Sequence, residues 1–233
     1  MSHPQLIVAL DTDDLDAALT LVDRAGPEVG WYKVGKQLFT RQGPPAVREL
    51  AARGKKVFLD LKFHDIPNTV AQAVSAAADL GATMVNVHAG GGSAMMRAAA
   101  EAIADRPEVL LIAVTVLTSL DEAALHEVGV ATSPAVQARR LALLARDAGL
   151  HGVVCSAHEL ADIGAACGPE FLTVVPGIRP AGSALGDQKR VMTPADAVRA
   201  GAAYLVVGRP ITAATDPAAA ARALANEIAE VSK

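Results

Sequence analysis

The chain has 233 residues, 52% of them hydrophobic but only 3% aromatic, with a formal net charge of −4. That length suits one α/β barrel of about 250 residues, and an apolar share drawn from Ala, Val, Leu and Ile suits parallel strands covered by helices. The acidic balance and the scarcity of aromatic rings exclude a nucleic-acid polymer as partner, and no uninterrupted apolar stretch is long enough to cross a bilayer, which excludes a membrane partner.

In chain order, short β-rich runs alternate with Ala-rich helical stretches, and no linker divides them. Strands are predicted at Leu6 to Asp11, Trp31 to Gly35, Lys56 to Asp60, Met84 to His88, Leu110 to Leu117, Gly152 to Cys155, Leu172 to Val175 and Tyr204 to Val207. Eight βα units favour closure, so residues 1–233 are read as a single (β/α)8 TIM barrel. The alternative, an open doubly wound sheet, needs a Gly-rich turn after its first strand; here that turn is Asp11-Thr12-Asp13-Asp14-Leu15-Asp16, acidic and free of glycine. Thr193-Pro194-Ala195-Asp196 reads as a helix start and Gly201 as its stop. Asn68 or Thr69 after Pro67 reads as another start, which leaves Thr69 open between a helix cap and a ligand contact. Asp121 to Leu125 reads as a short extra helix. The first residues hold no basic region followed by an apolar stretch of signal length, and Cys155 and Cys167 have neither metal-ligand spacing nor a disulfide-rich context. A soluble, cytoplasmic protein with reduced thiols and no metal site is therefore expected.

In such a barrel the site lies at the C-terminal rim, built from the ends of different strands. The predicted ends are polar throughout: Asp11, Lys33, Asp60 with Lys62, Asn86 with His88, Thr118 with Ser119, Cys155 with Ser156, Arg179, and Gly208 with Arg209. Within Lys55 to Thr69 an apolar strand ends in alternating charges. Side chains two apart share a face, so Asp60 and Lys62 point the same way, with Asp65 a turn further on. Burying such groups is costly unless they pair, and the pattern suggests a cation held between carboxylates. Trp31 and Tyr32 flank Lys33 and are expected to pack it in place. The loop Pro176 to Arg190 and the run Val206 to Pro210 supply glycines, amides and cations where barrels bind phosphate, so a phosphorylated substrate is inferred. Of Lys189 and Arg190, at most one is expected to reach it.

Five segments together resemble the orotidine 5′-monophosphate decarboxylase family, in its bacterial branch: Asp60-Leu61-Lys62-Phe63-His64-Asp65-Ile66-Pro67-Asn68-Thr69, Val114-Thr115-Val116-Leu117-Thr118-Ser119, Pro176-Gly177-Ile178-Arg179-Pro180, Gly186-Asp187-Gln188-Lys189-Arg190 and Val207-Gly208-Arg209-Pro210-Ile211. The resemblance implies decarboxylation of orotidine 5′-monophosphate to uridine 5′-monophosphate, without a cofactor. It further implies that Lys33, Asp60, Lys62 and Asp65 form an alternating array with Lys62 as proton donor. Asp11 would hold a ribose hydroxyl, Thr118 or Ser119 the pyrimidine, and Gln188, Gly208 and Arg209 the phosphate, with Arg179 at the same mouth. A homodimer is implied in which Asp65 and Thr69 complete the neighbour's site.

The chemistry fits those residues. Loss of the C6 carboxylate leaves charge in an in-plane orbital that the ring cannot delocalise, and a fixed ammonium can stabilise it and then deliver the proton. Asp60 and Asp65 are expected to keep Lys62 cationic against desolvation. His64 is assigned to structural hydrogen bonding, His126, His151 and His158 to surface or packing roles, and His88 stays a strand-end residue without an assigned role. Phosphate-driven closure of the Arg179 to Arg190 loop would supply an ordered, dry site. The rivals are a metal-dependent sugar-phosphate barrel with the same Asp-x-Lys-x-x-Asp core, and a binder of nucleotide phosphates without catalysis.

Overall fold

In the computed structural model, which describes residues 4–180 and 192–231, the first strand displays the rule that builds the molecule. Along β1 (Gln5–Leu10), Leu6, Val8 and Leu10 join a large cluster shared with the helices, while Ile7 and Ala9 join a small, separate cluster. A strand presents alternate residues to opposite faces, so a run that is apolar on both faces must be covered on both, here by helices outside and by other strands' side chains inside.

The same alternation recurs in β2 (Trp31–Gly35), β3 (Lys56–Phe63), β4 (Met84–His88), β5 (Leu110–Val114), β6 (Gly152–Val154), β7 (Leu172–Val175) and β8 (Tyr204–Val207). All pair in parallel and in sequence, and β8 returns to β1 with Gln5 opposite Tyr204, closing the barrel. The inner cluster of Ile7, Ala9, Trp31, Phe58, Met84, Ile112, Val174 and Val206 fills the barrel as a plug. Trp31 and Tyr204 meet edge to face with centroids 5.4 Å apart, and Lys56 lies over the Trp31 ring at the lower end.

The covering helices form where apolar residues recur at helical spacing behind a good cap. Helix α1 (Leu15–Arg24) starts on Asp14, whose carboxylate accepts the Ala17 N–H at 2.7 Å. Helices α2 (Lys36–Gln42) and α3 (Pro45–Ala52) follow β2, α4 (Pro67–Asp79) follows β3, and α5 (Gly92–Glu101) follows β4. Between β5 and β6 stand the short α6 (Glu122–Glu127), capped by Asp121, and α7 (Pro134–Asp147). In α7, Ser133 caps, Pro134 occupies the first turn, and Ala138, Leu141, Ala142 and Ala145 form the buried stripe. Helices α8 (Leu160–Cys167), α9 (Pro194–Arg199), α10 (Arg209–Thr212) and α11 (Pro217–Val231) complete the shell. Thr193 accepts the Asp196 N–H as expected, and Gly201, at φ +100°, ends α9 in a conformation that side chains resist.

Strands β1 and β6 stop one residue early, at Leu10 rather than Asp11 and at Val154 rather than Cys155, and four further local expectations need correction. Strand β3 continues to Phe63 rather than stopping at Asp60, whereas β5 stops at Val114 rather than Leu117, because its last partner on β6 is Val154. Neither Asn68 nor Thr69 caps α4; Ile66 precedes Pro67 at the helix start without a side-chain bond, and both polar residues lie in the first turn. Tyr32 faces the helices, where its hydroxyl donates to the Val22 carbonyl, so strand parity separates it from Lys33.

Candidate active site

Two residues above the plug, on four of the eight strands, chemistry replaces packing. Trp31 gives way to Lys33, Phe58 to Asp60, Met84 to Asn86 and, just beyond β1, Ala9 to Asp11. At about 3.3 Å per residue, these groups stand roughly 7 Å above the apolar layer. All but the wholly buried Asn86 border a pocket of about 670 Å³ at the C-terminal mouth, a volume in the range of small-molecule sites.

Four charges run across this mouth in alternation. Lys33 Nζ lies 3.2 Å from Asp11 Oδ1 and 3.5 Å from Asp60 Oδ2, and Lys62 Nζ lies 2.5 Å from Asp60 Oδ1. Asp11 is 60% exposed, Lys33 and Asp60 only 13% and 12%, and Lys62 26%, so the row is deepest at Lys33 and Asp60. Burial alone would raise the Asp60 carboxyl. The two ammonium groups, with hydrogen bonds from Lys62 and Asn86, outweigh it and hold the carboxyl below the usual carboxylate range.

Lys62 reaches Asp60 through an irregular backbone. Leu59 pairs with Val85 and Phe63 with Val87, so three residues of β3 stand opposite Asn86 alone. Lys62 takes φ +54°, the sole positive value at a non-glycine among the described residues. A left-handed lysine costs on the order of 1 kcal/mol and persists where its surroundings hold it. Here the Lys62 N–H donates to Asn86 Oδ1 at 2.8 Å.

Of the residues expected from sequence, Asp11, Lys33, Asp60, Lys62, Thr118, Arg179, Gly208 and Arg209 all border the pocket. Asp65, Thr69 and Ser119 do not: each is exposed and lies outside the lining of its own chain's pocket. Asp65 instead accepts the Ile66 N–H. Gln188 and the Gly186 to Arg190 segment lie outside the described residues, as does most of the loop expected to close. His64 stacks on His88, ring centroids 5.4 Å apart, and Gly90 N–H donates to His88 Nδ1. Burial, then the neighbouring His64, Lys62 and Lys36, push the His88 pKa down.

Sequence reasoning missed one participant and left another without a role. Gly35 sits two residues beyond Lys33 on the same strand face, and a Cβ there would stand 2.8 Å from Lys33 Nζ and 3.6 Å from Asp11 Oδ1. Asn86 was visible as a polar strand end, and its parity with Met84 would have turned it inward. Gly208 is different, since a Cβ there meets Asp11 and Ala9 at ordinary contact distances; the protein itself leaves room at that point.

Three comparisons bear on this geometry. Residues 4–224 match the model of the Orotidine 5′-phosphate decarboxylase / HUMPS family. An orotidine 5′-phosphate decarboxylase of Moorella thermoacetica is 59% identical over 231 residues, covering 96% of this chain and 92% of that protein. One from Nitrosococcus oceani is 55% identical, covering 99% and 100%. The crystal structure of the orotidine 5′-phosphate decarboxylase from Lactobacillus acidophilus superposes with a TM-score of 0.86 at 39% identity, covering 97% of this chain and 99% of that one.

Proposed function

The chain belongs to the Orotidine 5′-phosphate decarboxylase / HUMPS family, and on that premise we propose how its pocket performs the reaction. It is an enzyme, a carboxy-lyase that converts orotidine 5′-monophosphate to uridine 5′-monophosphate and carbon dioxide in pyrimidine biosynthesis. The observation that carries the mechanism is the Lys62 ammonium, paired with the largely enclosed Asp60 at the mouth of a nucleotide-sized pocket.

In this reading the pyrimidine lies with C6 toward Lys62. As the bond to the carboxylate breaks, the electron pair left on C6 is met by the ammonium, which then transfers a proton to that carbon. Asp60 orients Lys62 and, through its other oxygen, engages Lys33. The same Lys33 sits beside Asp11, so that pair is placed to hold the ribose hydroxyls. Thr118 contacts the ring, while Gly208, Arg209 and Arg179 receive the phosphate; Ser119 and Gln188 are assigned to the ring and phosphate on resemblance. One oriented donor supplies roughly 3–4 kcal/mol against the 8–23 kcal/mol, approximately, by which enzymes lower barriers. Binding of the distant phosphate has to contribute much of the remainder. The scheme uses no cofactor.

Asp65 and Thr69 are exposed and separate from the pocket of their own chain, which suits a homodimer in which each reaches its partner's mouth. Ile66 between them is 69% exposed, apolar surface that such contact would cover. The whole chain is read as one catalytic domain, as the span of the family match suggests. A cytoplasmic location suits two cysteines that form no disulfide, and among the described residues no helix is long and apolar enough to cross a membrane.

The test follows orotidine 5′-monophosphate consumption by parent and Lys62→Ala protein, each with and without a metal chelator. Chelator-insensitive turnover that disappears in a folded Lys62→Ala variant is expected. Turnover surviving that substitution would remove Lys62 from the chemistry, and chelator-sensitive action on a sugar phosphate would favour the other branch of the family.

A further inference from the structure

Asn86 is wholly buried on β4, and both ends of its side-chain amide are engaged by the reacting segment of β3. Its Oδ1 accepts the Lys62 backbone N–H at 2.8 Å, and its Nδ2 donates to Asp60 Oδ1 at 2.7 Å. The amide orientation is fixed by chemistry: a backbone N–H can only donate and an ionised carboxylate can only accept. Where three β3 residues face one β4 residue, the ladder cannot supply a partner for the Lys62 N–H. The side chain of Asn86 takes over that bond, and with it the left-handed turn at Lys62 is held.

The same amide shares Asp60 Oδ1 with the Lys62 ammonium. Backbone and side chain of Lys62 are thus tied to one group, directly at N–H and through Asp60 at Nζ. We propose that Asn86 is a positioning residue for the decarboxylation, a two-ended clamp that sets the Lys62 ammonium at its working depth by fixing both the bulged backbone and the carboxylate that orients it. The proposal rests on the reading of Lys62 as proton donor. The charged and titratable groups around the clamp are Asp60 and Lys62 on β3, Lys33 on β2 and His88 on its own strand, with His64 stacked on the last.

Neither a hydroxyl nor an ionised carboxylate performs both tasks. A hydroxyl is too short to span the N–H and the carboxylate together. Aspartate has the right shape, yet when ionised it presents an oxygen to Asp60 Oδ1 where a donor is needed; when protonated, its O–H donates to Asp60 and the clamp is restored. Two carboxylates so close cannot both ionise freely.

The experiment measures kcat and KM across pH for the parent, Asn86→Ala, Asn86→Asp and Lys62→Ala, with circular dichroism and thermal melts as checks on folding. Loss of the clamp misplaces the ammonium, so Asn86→Ala should lose about 100-fold in kcat with KM within a few-fold of the parent. Asn86→Asp should be similarly impaired at high pH, and its kcat relative to the parent should climb as pH falls and its new carboxyl takes up a proton. A residue that merely packs would give no such climb. If Asn86→Ala melts at room temperature, the Asn86→Asp profile decides alone. Parent-like kcat in folded Asn86→Ala, or a pH-independent ratio for Asn86→Asp, overturns the clamp while inactive Lys62→Ala leaves the donor in place. An active Lys62→Ala overturns the donor assignment itself.

Discussion

Replacing Gly35 with alanine separates the needs of the fold from those of the site. The residue has φ −90° and ψ −179°, extended backbone that any amino acid adopts, and in a strand glycine costs roughly 0.5–1 kcal/mol relative to alanine. By backbone accounting Gly35→Ala therefore leaves stability unchanged or slightly improved. The added methyl, however, would stand 2.8 Å from Lys33 Nζ, and an ordinary contact of about 3.5 Å requires that ammonium to retreat by about 0.7 Å. Lys33 bridges Asp11 and Asp60 at 3.2 and 3.5 Å, so the retreat disturbs both. With a 1 Å misplacement worth about 100-fold, kcat/KM should fall roughly tenfold, about 1.4 kcal/mol. Steady-state kinetics on orotidine 5′-monophosphate and a thermal melt together provide the assay. For a chain of this size about 1 kcal/mol corresponds to roughly 2–4 °C in Tm, so Tm should stay within that interval. Parent-like kcat/KM, or a drop in Tm beyond about 5 °C, would refute the argument that the missing side chain there makes room for Lys33.

Gly152→Ala should behave in the opposite way: its Cβ would lie 2.2 Å from the Leu172 carbonyl oxygen, which is backbone and cannot swing aside, so a loss of about 3 kcal/mol should appear in urea unfolding. Asp60 has its carboxyl held low in the folded state, so its stabilisation is complete above about pH 4 and drains away as pH falls through the folded value; in Asp60→Asn that acid-side loss should shrink, measured by unfolding at pH 6 and pH 3. The folded-state pKa of His88 is also depressed, which makes its contribution full above about pH 6.5 and diminishing below; His88→Gln should lose less stability than the parent between pH 7.5 and 5.5. Mixing inactive Lys62→Ala and Asp65→Ala chains should restore part of the activity if sites are shared, and no recovery despite verified subunit exchange would refute the shared mouth.

Most of the barrel was written in local patterns. Apolar runs of strand length, the cap at Thr193 and the stop at Gly201 each require only neighbours in sequence. The rim positions of Asp11, Lys33, Asp60 and Lys62 were equally legible, since parallel strands in a barrel end at one rim and parity decides what faces inward; the array itself was expected to be Lys33, Asp60, Lys62 and Asp65, whereas within one chain the fourth charge is Asp11. What escaped reading depends on register between strands. The extra residues of β3 opposite Asn86, and hence the left-handed Lys62, arise from how two distant segments pair. Gly35 carries no functional group, so its role as empty space becomes visible only once Lys33 is seen curling over it. Tyr32 was grouped with Lys33 because adjacency in sequence was mistaken for adjacency in space, and strand alternation sends neighbours to opposite sides.

The plug beneath the pocket imposes an order on traffic. Eight side chains, from Ile7 to Val206, stopper the barrel from below, so product gas and nucleotide share a doorway with incoming substrate. In the proposed reaction, carbon dioxide released beside Lys62 must slip outward past the pyrimidine or wait behind it, and the next turnover cannot begin until the spent nucleotide vacates the threshold.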